Sequence, residues 1–185
     1  MASERIVLGS GKLYCVAATK TDGVYTIPAD ATLETDANLL GYIQGGATIE
    51  YSPEFYTAED DLGIVSKKFI TEEEVTLTSG VMTWNADVLK KLVATGRKTT
   101  SGTTETLKVG GAENFDGQYY VLRFVHLDKI DGNIRVTIVG SNEAGFSMQF
   151  QKDQETVIDA EFKAAPIDKQ GTLLIVEFSE PDVSE

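Results

Sequence analysis

Apolar and polar residues alternate one by one along most of this chain. That period of two fits pleated strands with one buried face, not helices. Ala47, Ile49 and Tyr51 alternate with Thr48, Glu50 and Ser52, and Val75 and Leu77 alternate with Glu74, Thr76 and Thr78. The pattern returns in Ile134, Val136 and Ile138, in Phe146, Met148 and Phe150, and in Ile158, Ala160 and Phe162. Tyr119 to Val125 and Leu173 to Phe178 are apolar on both faces, which predicts central strands covered on both sides. Asp22-Gly23, Gly45-Gly46, Asp116-Gly117 and Asp131-Gly132 read as turns, the last as a hairpin turn between two strong strands.

One segment changes period. Asn85 is a good N-cap, Asp87 sits where the helix dipole favours an acid, and Val88, Leu89 and Leu92 form one apolar stripe. Gly96 is the expected stop, so a helix is predicted over 85–95, packed on a sheet. The expected fold is mainly β, an antiparallel β-sandwich or barrel with one packed α-helix, in a single domain over 1–185. Residues 1–10 and 180–185 are expected to be flexible termini, and 98–106, rich in Thr, Ser and Gly, a weakly ordered connection. Residues 53–68 break the alternation and read as a long loop, carrying Glu54, Phe55, Tyr56, Glu59, Asp60 and Asp61.

The balance of charge narrows the function. Asp and Glu number 29 against 16 Lys and Arg, a formal net charge of −13. Nucleic-acid binders carry the opposite sign to neutralise phosphates. A surface that lets DNA pass without gripping it wants this sign, and so does any chain kept soluble by its charge. No apolar run approaches the ~20 residues of a membrane helix, and the start of the chain has no signal-peptide pattern, so production in the cytosol is expected.

No chemistry rises above background. Cys15, the only cysteine, lies in the apolar run Leu13 to Ala17 and reads as a small buried hydrophobe. His126, the only histidine, ends an apolar strand and reads as a structural hydrogen-bonding group. Gly9-Ser10-Gly11-Lys12 lacks both the leading glycine and the trailing Ser or Thr of a phosphate loop. Glu59-Asp60-Asp61 and Glu72-Glu73-Glu74 lack the spacing of a calcium loop, and a strand would send alternate carboxylates of the second run to opposite faces. No enzyme activity, cofactor or metal is expected.

The ordered segments Leu40 to Tyr51, Glu72 to Asn85, Tyr120 to His126, Gly140 to Phe146 and Ala160 to Ala164 resemble the major tail tube proteins of long-tailed phages. The likeness runs from about Leu8 to Phe178. It implies hexameric rings stacked into a tube, with strands of each subunit joining into one barrel around a channel for DNA ejection. The implied partners are further copies of the chain, a tape measure protein and tail terminator or baseplate proteins. DNA would pass transiently and no membrane is involved. The implied location is the virion tail, after assembly in the host cytoplasm. Inner tube proteins of contractile tails and of bacterial injection machines are similar and stand as alternatives. The family carries no catalytic motif, so no catalytic residue is transferred. Glu50, Glu72 and Glu74 are the expected lumen-facing acids. The stretch 53–68 is the expected inter-subunit segment, ordering on assembly. A ligand-binding β-sandwich is the competing class, and it would need an exposed aromatic platform. Trp84 stands beside the helix cap instead and reads as packing it.

Overall fold

In the computed structural model, residue 7, residues 9–64 and residues 66–180 are described. Of the expected flexible termini, residues 1–6, 8 and 181–185 lie outside the described residues. The first part of the chain forms β1 (Lys12–Ala17), β2 (Thr19–Thr21), β3 (Val24–Thr26) and the short helix α1 (Asp30–Leu33). Then come two long strands, β4 (Ile43–Glu59) and β5 (Ser66–Val81), and the helix α2 (Ala86–Lys91). The rest is β6 (Arg97–Ser101), β7 (Thr104–Lys108), β8 (Tyr120–His126), β9 (Ile134–Asn142), β10 (Ile158–Ala164) and β11 (Ile175–Phe178).

The main sheet is antiparallel, in the order β1-β8-β9-β10-β5-β4, with β11 added to β9. Its strand order has two ends, so no closed barrel forms among the described residues. Strand β9 changes partners along its length. Ile134 to Thr137 pair with β11, whereas Gly140 to Asn142 pair with β10. The chain is mainly β, as the alternation predicts.

Two apolar clusters hold the sheet. One collects Leu13, Cys15, Leu122 and Ile138 with Val75, Leu77, Ile158 and Phe162, and α2 covers it through Val88, Leu89 and Leu92. The other lies on the opposite face of β1, β8 and β9. There Tyr14, Val121, Val125 and Val139 meet Tyr25, Leu33 and Ile167. Strand β8 is therefore covered on both faces, as its apolar run predicts. An ion cluster around the buried Arg123 fastens α1 to this second layer. Arg123, 4% exposed, donates to Thr137 Oγ1 at 2.9 Å and pairs with Asp30 and Glu34. Arg135 holds Glu34 through two nitrogens, at 2.6 and 3.1 Å.

Helix α2 is capped as expected. Asn85 Oδ1 accepts from the backbone N–H groups of Asp87 and Val88, both at 3.0 Å. It is shorter than predicted, because Leu92 and Val93 bond back to Leu89 and Lys90 and so tighten the last turn. Leu92 is fully buried. Leu92→Ala is expected to cost about 2–5 kcal/mol in a denaturant titration. A change within error would place the stripe outside the core.

Several expectations are corrected. Residues 53–68 are not one long loop: 53–59 and 66–68 belong to β4 and β5, pairing from Pro53↔Glu73 to Glu59↔Ser66, and the connection is confined to 60–65. Their alternation fails because both faces meet solvent, so neither is forced to be apolar. Residues 97–108 form the β6–β7 hairpin, turned at Gly102, whose φ is 60°. Gly45-Gly46 is a bulge inside β4, where the register slips between Gln44 and Ala47. Both glycines have φ near +80°, a conformation that side chains resist (81° and 79°). Phe146 to Phe150 find no partner strand and run irregularly. Ile175 to Phe178 form an edge strand rather than a central one, paired only with β9.

Candidate functional site: an acidic sheet face and a projecting arm

Strands β10, β5 and β4 present their second face to solvent. Registers fix which side chains share it. Glu50 stands opposite Thr76, Ser52 opposite Glu74, Glu54 opposite Glu72, and Glu161 opposite Thr78. With period two, Thr48, Glu50, Ser52 and Glu54 line up with Glu72, Glu74, Thr76 and Thr78, and with Asp159 and Glu161. Glu50, Ser52, Glu74, Thr76, Thr78 and Glu161 line one shallow depression of about 220 Å³. So the three acids named from the sequence, Glu50, Glu72 and Glu74, lie on one face.

Lys163 tempers this charge. Its Nζ lies 2.5 Å from Glu74 Oε2, and that hydrogen bond holds the ammonium above its ordinary range. Glu73, between Glu72 and Glu74, points to the other face and accepts from the Tyr51 hydroxyl at 2.6 Å. That bond pushes the phenol pKa up. Sequence reading missed Glu161 and Asp159, although their own alternation with Ile158, Ala160 and Phe162 was visible. Which strands become neighbours is a long-range fact that no local pattern carries.

Beyond Val75 the pair β4–β5 leaves the body. Strand β10 stops pairing with β5 at Lys163↔Thr76, so β5 from Val75 back to Ser66 pairs with β4 alone. Ser52 to Glu59 span about 23 Å at the strand rise. This arm holds Glu54, Phe55, Tyr56 and Glu59 on β4, and Asp60 and Asp61 in its terminal turn. A register slip after Glu54 leaves Thr71 unpaired. Tyr56 then stands opposite Phe69, and Phe55 opposite Ile70. All four are exposed, as are Leu62 and Ile64 at the tip. Lys68 Nζ sits 4.0 Å above the Phe55 ring and Lys67 Nζ 4.8 Å above the Phe69 ring. A lone two-stranded ribbon is marginal in water, and a run of exposed apolar side chains marks a contact surface.

The groups with reactive side chains are kept apart. Burial pushes the Cys15 thiol up to about 12. Cys15 pairs with Leu122, four residues before His126 on β8, which separates the two by about 13 Å along the strand. His126 Nδ1 bonds the Ser10 carbonyl at 2.8 Å. Trp84 packs at the edge of the main cluster, and its Nε1 donates to Thr156 O at 3.4 Å. Among the described residues, no cluster of three or more His, Cys, Asp and Glu side chains is placed to hold a metal ion. No helix of the described residues is long and apolar enough to cross a membrane. No protein-family model matches this chain, and no curated protein matches it either.

Proposed function

We propose that this chain is a structural subunit that assembles into stacked hexameric rings, the tube of a phage tail or a related injection device. The observation that carries this reading is the division of labour within β4 and β5. Near the body the two strands contribute to an acidic sheet face; beyond it they form an exposed aromatic arm. The outer edge of β4 runs from Ile43 to Glu59 with no described strand beside it. Edges of this length invite pairing with another chain. Strand pairing between subunits would extend the sheet into a continuous barrel, with the acidic face inward and the arm reaching a neighbour.

The expected result is direct. Purified protein, concentrated in steps and imaged by negative stain, gives rings or tubes of uniform diameter with a central channel. Sedimentation at the same concentrations shows species larger than the monomer. A chain that stays monomeric at millimolar concentration, near neutral pH and physiological salt, overturns the proposal.

A further inference from the structure

We propose that the arm of one copy docks, through Tyr56, into an apolar cleft on the body of the next. This rests on the assembly proposed above and names the surface that receives the arm. The cleft holds about 420 Å³. It is walled by Leu92 and Val93 after α2, by Val109 and Phe115, and by Tyr119 and Tyr120 at the start of β8. That volume falls in the range of roughly 300–1,000 Å³ typical of ligand sites.

Direction excludes the chain's own arm. Strands β5 and β9 both run antiparallel to β10, so they run parallel to each other. Thr76 and Ser141 both pair with Lys163. From that level the arm runs back alongside the start of β9, whereas the cleft lies beyond the end of β9, at Ser141 to Gly145. Arm and cleft therefore point to opposite ends of the sheet. A contact between them is head-to-tail, the kind that closes into a ring or continues as a filament.

Chemistry selects this part of the arm. Tyr56 is 60% exposed and directly opposite Phe69, over whose ring Lys67 is stacked. One arm face thus offers two aromatic rings and a cation together. The cleft answers with apolar walls and two exposed acids, Asp116 and Glu143. Its one cation, Lys91, is already engaged with the Cys15 carbonyl at 3.0 Å. The arm tip, with Asp60 and Asp61, would meet those acids with like charge.

Cysteine pairing tests this. Cys15 is fully buried and its thiol is pushed to about 12, so introduced surface cysteines react alone. Ala58→Cys, two residues from Tyr56 on the same arm face and leaving that anchor in place, and Val109→Cys chains are prepared separately, then mixed at assembling concentration under mild oxidation. A disulfide between the two variants is expected in the mixture, and neither variant alone should form one. Assemblies that form without this disulfide overturn the arm as occupant, leave the assembly reading standing, and assign the cleft to a small apolar ligand or a different partner. The disulfide without rings or tubes upholds the docking and overturns the ring. Neither disulfide nor assembly overturns both. As a second check, Lys67→Glu should raise the half-assembly concentration about fivefold, the upper range for a rim ion pair. Adding Glu143→Lys should restore it; no change in either variant counts against the docking.

Discussion

Removing the arm is expected to abolish assembly while leaving the fold of the body intact. The variant joins Glu54 to Glu72 through Asn-Gly, a two-residue turn that suits antiparallel strands. The deletion takes Phe55, Tyr56, Leu62, Ile64, Phe69 and Ile70, every one exposed. It takes no member of either buried cluster, since the first core residue of β5 is Val75. Thermal unfolding should therefore shift by only a few degrees. Assembly is another matter. Aromatic anchors buried at an interface are worth about 2 kcal/mol or more each, so losing two raises the required concentration by roughly a thousandfold. Sedimentation should find only monomer where the intact chain forms large species. If the shortened chain assembles as well as the full one, the arm is not the joint. Tyr56→Asp with Phe69→Asp keeps the ribbon length and must give the same loss, which separates a missing contact from a damaged body.

Where the sequence was legible follows from where burial is one-sided. Strands β5 near Val75 and β10 near Ile158 show a clean alternation because one face is core and the other water. The double-apolar run of β8 was equally readable, since it lies between two clusters. The α2 cap at Asn85 was readable because capping is local. The arm was not readable. It has solvent on both faces, so its pairing leaves no hydrophobic period, and only register within the folded chain exposes it. The same holds for β6 and β7, whose threonines mostly face water. Conversely, Phe146 to Phe150 alternate without forming a strand. The acidic face was legible only in part. Glu50, Glu72 and Glu74 could be placed on polar strand faces one strand at a time. That Asp159 and Glu161 stand beside them depends on β10 returning to pair with β5, a contact far apart in sequence.

Reversing charge on the acidic face is expected to make assembled tubes grip DNA. The face carries Glu50, Glu54, Glu72, Glu74, Asp159 and Glu161, with Lys163 already tied to Glu74. Such a wall repels a polyanion and keeps it sliding. Glu50→Lys with Glu72→Lys and Glu161→Lys changes three sites on three strands and leaves the Glu74–Lys163 pair in place. All three native carboxylates are exposed, so folding should be little affected. Repeated around a ring, the new ammonium groups would line the channel at closely spaced levels. Unaltered tubes should retain no linear duplex DNA at low salt, whereas the variant should retain it. Binding through several phosphate contacts releases counterions, so affinity should fall by about 10³-fold or more between 50 and 200 mM salt. The topology of the DNA locates the face. Linear duplex can thread a channel, and a closed circle cannot. Retention of linear DNA with no retention of circles puts these residues in the lumen. Equal retention of both would put them on the outside of the tube, where acids serve solubility alone. Variant tubes that bind neither form would show that the face is buried between subunits, and the proposed channel wall would be lost.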